Sequence, residues 1–119
     1  MMRLQHVGIT VASDAFPLAR SFYAEVLGLP ELRASDRALI YGLGRSGELE
    51  LHVIAGAQPD AGAEHHFALE VEDLDAVRRR IGDAGYTVED ARAVGGRERI
   101  FVRDPLGNLI EFVTPSNVS

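Results

Sequence analysis

With 119 residues, no cysteine, and eighteen acidic against twelve basic side chains for a net charge of −6, the chain has the size of one domain. The missing cysteines exclude disulfides, thiolate metal sites and cysteine nucleophiles together, and make a reducing compartment, the cytoplasm, the expected location. The negative balance is the wrong sign for a surface that tracks phosphates, and no apolar run has the length of a signal-peptide core or a bilayer span, so neither nucleic acid nor a membrane is an expected partner.

The first strand is expected from about Leu4 to Val11. Successive strand residues point to opposite sides, so Val7, Ile9 and Val11 share one face while His6, Gly8 and Thr10 share the other. A helix follows, capped by Ser13 or Asp14, with Pro17 tolerated in its first turn and Gly28 as its left-handed stop. Ala19, Phe22 and Val26 form its apolar stripe. Short strands are expected near Glu31 to Arg33 and Ala38 to Leu43, and a stronger one from Glu48 to Ile54 after Gly42, Gly44 and Gly47. Residues 55–64 have the composition of a linker. The order then repeats: a strand from His66 to Val71, a helix capped by Asp73 with Leu74, Val77, Ile81 and Ala84 on one face, and Gly85 as its stop. Strands from Tyr86 to Glu89, Arg99 to Arg103 and Leu109 to Val113 complete the set, the last two joined by a turn at Asp104 to Asn108. The polar residues from Thr114 to Ser119 are expected to fray.

The spacing repeats with the order. His66 lies 60 residues after His6, Gly107 lies 60 after Gly47, and Gly85 lies 57 after Gly28. This predicts an internal duplication, an α+β fold of two βαβββ modules, about 4–54 and 65–113, joined by linker 55–64 within one domain spanning 1–119. One such unit has an open apolar face, and pairing two covers both.

Glu50 stands between Leu49 and Leu51, and Glu111 between Ile110 and Phe112, so each carboxylate faces away from the apolar side of its strand. If both sheets curl, the polar faces meet and gather His6, Glu50, His66 and Glu111. Two imidazoles and two carboxylates form a donor set suited to a divalent transition metal with open positions for water or substrate. Glu50 follows Gly47 by three residues while Glu111 follows Gly107 by four, so the strict repeat is broken there, and a three-ligand site of His6, His66 and Glu111 stays open as an alternative. His52 shares a face with Glu50 and is expected to line the pocket. His65 shares its parity with Phe67 and is not expected to be a ligand. Arg97, Arg99 and Arg103 share one parity with Phe101, which makes Arg99 and Arg103 candidates to bind an anionic group of a substrate. The run Arg78-Arg79-Arg80 is expected on the solvated face of its helix. No pattern for a serine hydrolase or a phosphate loop is present.

Four stretches together, His6 to Val11, Ser21 to Leu29, His66 to Val71 and Phe101 to Phe112, resemble the vicinal oxygen chelate superfamily of glyoxalase I, fosfomycin-modifying enzymes, extradiol dioxygenases and bleomycin-binding proteins. The match spans almost the whole chain. It implies βαβββ modules paired edge to edge into a curled mixed sheet, a cup with helices on its outer face, in a homodimer whose sites combine units from two chains. It places His6, His66 and Glu111 on the family's ligand positions for a divalent ion (Zn, Ni, Mn or Fe), with Glu50 on a fourth that glyoxalase I fills with glutamate. The activity implied is that of a glyoxalase-like metalloenzyme, a lyase or isomerase working through a metal-stabilised enediolate on a small oxygenated substrate, with Glu111 as the base. Two alternatives accompany it: a metal-free protein that sequesters a ligand or antibiotic as bleomycin-binding members do, and an iron-dependent extradiol dioxygenase.

Overall fold

In the computed structural model, which describes residues 1–60 and 62–115, each half of the chain builds the same four-stranded mixed sheet. β1 (His6–Val11), β2 (Glu31–Ala34), β3 (Ala38–Leu43) and β4 (Leu49–Ala55) lie in the order β1-β4-β3-β2. β5 (His66–Glu70), β6 (Val88–Val94), β7 (Arg97–Arg103) and β8 (Leu109–Val113) lie in the order β5-β8-β7-β6. In each sheet the first strand runs parallel to the last and the remaining pairs are antiparallel. The expected frayed end lies, from residue 116 onward, outside the described residues, as does residue 61 of the linker. No helix among the described residues is long and apolar enough to cross a membrane.

The two units share one core. Val11, Leu39, Leu51 and Val53 from the first and Ile81, Ile100, Ile110 and Phe112 from the second are all buried in a single cluster. The first helical segment wedges between them and is less regular than its apolar stripe suggests. A 3₁₀ turn (Ser13–Ala15) leads into α1 (Phe16–Arg20), which widens into a π-helical stretch at Ser21–Val26. Neither Ser13 nor Asp14 caps it; Ala12 and Ala15 hold the cap positions with no side-chain hydrogen bond. The wide turn shifts the helix phase by about one residue, and the consecutive Phe22 and Tyr23 are both fully buried. Phe22 packs edge-on against Tyr86 at 4.9 Å, tying the first unit to the second.

α2 (Leu74–Asp83) follows the sequence closely. Asp73 accepts a hydrogen bond from Ala76 N at 3.0 Å as the N-cap, and Leu74 and Ile81 are buried. Ala84 is exposed, and the arginine run is not wholly solvated: Arg78 bonds Asp75 and Asp90, and Arg80 donates to the Glu25 carbonyl of the first unit. At the end of the first helical segment Gly28 has φ +73°, and a Cβ there would meet the Arg80 guanidinium at 3.2 Å. Gly28→Ala is therefore expected to lower stability by about 1 kcal/mol or more in urea unfolding, since the left-handed conformation penalises any side chain.

A bulge in β2 between Glu31 and Arg33 turns these two residues to opposite faces of the sheet. Glu31 pairs with Arg20 on the helix side at 2.9 Å, and Arg33 reaches Glu50 on the other. The Tyr41 hydroxyl is buried on the helix side, near the Glu31 carboxylate. Burial first, then the nearby Glu31 carboxylate, push its pKa up to about 12. A raised phenol pKa favours the folded state below the unfolded-state value near 10 and loses that advantage as pH rises toward 12. Between these limits the fold is expected to lose of order 1–2 kcal/mol of stability, and Tyr41→Phe should remove that pH-dependent loss.

Candidate metal centre

The exposed faces of the two sheets carry the polar residues singled out above. On the second sheet, His66 at the start of β5 and Glu111 in the middle of β8 meet, with Nε2 to Oε1 at 3.1 Å. The other ring nitrogen, Nδ1, lies 2.9 Å from the Glu64 carbonyl oxygen. A carbonyl can only accept, so Nδ1 carries a hydrogen and, in the neutral ring, Nε2 turns its lone pair toward a carboxylate. Two acceptors face each other there, and a cation between them, a proton or a metal ion, is what satisfies the pair. The separation matches two ligand atoms each about 2.1 Å from one ion at a right angle, roughly 3 Å apart. The backbone hydrogen bond at Nδ1 is the outer contact that usually orients a ligating histidine. The donor chemistry therefore fits a divalent ion.

On the first sheet His6 is held similarly, its Nδ1 2.7 Å from Gln5 Oε1. Its ring stacks on that of His52 with centroids 4.0 Å apart and planes inclined by 7°. His52 Nε2 lies 2.8 Å from Glu50 Oε1, and Arg33 adds two contacts to the same carboxylate, Nη2 to Oε1 at 3.0 Å and Nη1 to Oε2 at 3.4 Å. The hydrogen bond from His52 and then the Arg33 guanidinium hold the Glu50 carboxyl down at about 2.

Within one chain these two groups stay apart. Among the described residues no three histidines or carboxylates converge as a metal site. His66 opens on a cavity of about 840 Å³, beside Tyr86, Glu89, Phe101 and Arg103, whereas His6 and Glu50 line a second one of about 540 Å³ with Phe67 and Leu43. Arg99 lies near the His66 pair, its Nη1 3.9 Å from Glu111 Oε1 and its guanidinium 5.5 Å above the Phe101 ring. Arg103 gives both terminal nitrogens to backbone carbonyls, of Gly107 and Ala63, each at 2.9 Å, so it braces the linker and the β7–β8 turn as well as lining the larger cavity. His65 is exposed immediately before β5.

Sequence reasoning overlooked Asp104 and Arg33. Asp104, within the expected turn, is a buried carboxylate that accepts from Tyr23 Oη at 2.6 Å, Leu106 N at 2.8 Å, Asn108 N at 2.9 Å and Asn108 Nδ2 at 3.0 Å. Burial, and then the Asp104 carboxylate, push the Tyr23 phenol well above its ordinary value. The Asp-Pro-Leu-Gly-Asn text signals a turn, and nothing in it points to Tyr23, 81 residues away. Arg33 could be found only by knowing the β2 bulge.

A model of the Glyoxalase/Bleomycin resistance protein/Dioxygenase superfamily matches residues 3–112. No curated protein matches the sequence. Among solved structures, a glyoxalase family protein from Bacillus anthracis is 25% identical over 98% of this chain and 97% of its own, with a TM-score of 0.85. A lactoylglutathione lyase from Agrobacterium tumefaciens is 22% identical over 96% and 94%, with a TM-score of 0.74. The fosfomycin resistance protein FosX from Listeria monocytogenes, solved with Mn(II) and sulfate, is 17% identical over 98% and 93%, with a TM-score of 0.81.

Proposed function

The chain belongs to the Glyoxalase/Bleomycin resistance protein/Dioxygenase superfamily, and on that premise we propose that it is a metal-dependent, glyoxalase-like enzyme acting on a small oxygenated substrate. The observation that carries this reading is the His66–Glu111 pair, an imidazole Nε2 and a carboxylate oxygen 3.1 Å apart, with the imidazole held from behind by the Glu64 carbonyl. His6, His66 and Glu111 hold a divalent ion (Zn, Ni, Mn or Fe), and the first unit supplies a further donor beside His6. Because each sheet of one chain carries only part of this set, the site is completed in a homodimer, with the first unit of one protomer facing the second unit of its partner.

When bound, the ion stabilises negative charge developing on two neighbouring substrate oxygens. Glu111 serves as the base once substrate oxygens take its place among the ligands, its freed carboxylate, only partly exposed beside His66, accepting the carbon-bound proton. Arg99, fixed over Phe101 and near Glu111, steers an anionic or carbonyl group of the substrate. Arg103, spent on two carbonyls, shapes the wall of the larger cavity.

Metal analysis decides the matter. After equilibration with saturating nickel, zinc or manganese and removal of excess, about one ion per chain is expected, and His66→Ala should lower the affinity by at least about 100-fold. Protein that retains no ion under these conditions would sink the reading. The aromatic lining of the larger cavity by Tyr86 and Phe101 favours one competitor, a metal-free protein that sequesters an aromatic ligand. That competitor requires tight ligand binding indifferent to chelator and to His6→Ala.

A further inference from the structure

Resting on the reading of a metal site completed by both units, we propose that His52, and not Glu50, is the ligand the first unit adds beside His6. The set is then His6, His52, His66 and Glu111, with Glu50 standing behind His52.

The strand register carries this. In the second unit His66 lies across from Leu109, and Glu111 lies two residues further along β8, across from Ala68. In the first unit His6 lies across from Glu50, and two residues further along β4, across from Gly8, stands His52. The neighbouring strand repeats the correspondence, for Phe101 pairs with Glu111 as Ile40 pairs with His52. The duplication therefore matches His52 to Glu111 and Glu50 to Leu109. Side-chain contacts follow the same rule. His66 Nε2 meets Glu111 Oε1 diagonally across the β5–β8 ladder, and the His6 ring stacks face to face on His52 diagonally across the β1–β4 ladder, so one of these two rings turns when both face one ion.

The hydrogen bonds sort the donors in the same way. His6 and His66 each have Nδ1 held by an oxygen, of Gln5 and of the Glu64 carbonyl, which leaves Nε2 as the donor atom. His52 has Nε2 held by Glu50 Oε1, which leaves Nδ1. A carboxylate behind a histidine fixes the ring's tautomer and raises its basicity, the arrangement commonly found behind metal ligands. Glu50 is itself engaged by three nitrogens, two of Arg33 and one of His52, and would have to abandon the fork of Arg33 to reach an ion. Three imidazoles and one carboxylate also shift the preference toward zinc, nickel and cobalt and away from the oxygen-seeking manganese.

The test uses the full chain freed of metal and then titrated with cobalt(II) alone. In the paramagnetic proton spectrum each ligating imidazole shows one shifted, exchangeable ring N–H. Three are expected in the unaltered protein, two in His52→Gln, and three in Glu50→Gln, whose amide oxygen still accepts from His52. His52→Gln should weaken cobalt binding by at least about 100-fold, and Glu50→Gln by about 10-fold, the lower range for an outer partner. Two shifted N–H signals in the unaltered protein, or a larger loss in Glu50→Gln than in His52→Gln, would overturn this assignment while leaving the metal site standing. Absence of cobalt binding by the unaltered protein would overturn both. If His52→Gln does not fold, the count in the unaltered protein decides alone.

Discussion

Asp104→Ala is expected to lower the unfolding free energy by about 3–5 kcal/mol, because several neutral donors in a buried turn lose their shared acceptor at about 1–3 kcal/mol each. The carboxylate is only 4% exposed and takes hydrogen bonds from a phenol, two backbone amides and a side-chain amide. Removing it strands the Tyr23 hydroxyl and the Leu106 and Asn108 amides, while Asn108 Nδ2 keeps its bond to the Thr10 carbonyl, and water entering the vacated space offsets part of the cost. Tyr23→Phe deletes one of those donors and leaves the other three bonds intact, so it should cost about 1–2 kcal/mol. Asp104→Asn should fall between, because one amide oxygen still accepts while its NH₂ faces donors. Urea unfolding monitored by circular dichroism would show a lower midpoint at unchanged slope. A loss below about 1 kcal/mol for Asp104→Ala would mean that the network is solvated and not structural. The effect reaches the proposed site, since the turn that Asp104 closes leads directly into β8 and Glu111.

The same turn shows what the sequence could reveal. Its text identifies a tight connection, with Leu109 to Val113 matching β8 residue for residue and β7 starting at Arg97, two residues before the expected Arg99. Asp73 and Gly85 marked the ends of α2 because capping and left-handed termination are local events, settled within a few residues. The first helical segment was harder. Its Ser13 and Asp14 look like caps, but the chain enters through a 3₁₀ turn, and the π-helical stretch contains Tyr23, whose bond to Asp104 is a tertiary contact 81 residues away in sequence. β6 lies at Val88–Val94, beyond the expected Tyr86 to Glu89, because residues 88–94 are mostly exposed and carry little apolar alternation. The equivalence of Glu50 and Glu111 was a natural reading, since both follow the parity rule. His52 has the same parity as Glu50, however, and a shift of register by two residues leaves every face unchanged. Only the pairing of β1 with β4 shows that His52 occupies the place of Glu111.

Mixing His6→Ala and His66→Ala proteins, after unfolding and refolding them together, is expected to restore about a quarter of the metal sites that neither variant forms alone. If each site takes its first-unit donors from one protomer and its second-unit donors from the other, half of the random dimers are mixed. Each mixed dimer has one site built from the two undamaged units and one with both histidines missing. A site formed within a single chain would show no recovery, because every chain carries one defect. The pairing of His66→Ala with Glu111→Ala sharpens the contrast. These residues touch across β5 and β8 of the same unit, so no exchange of whole units can restore them together, and the mixture should stay empty. Recovery in that second mixture would point to nonspecific uptake of metal. Recovery in the first mixture alone ties the separation of the two polar faces within one chain to its consequence, that assembly of the dimer and assembly of the metal site are one event.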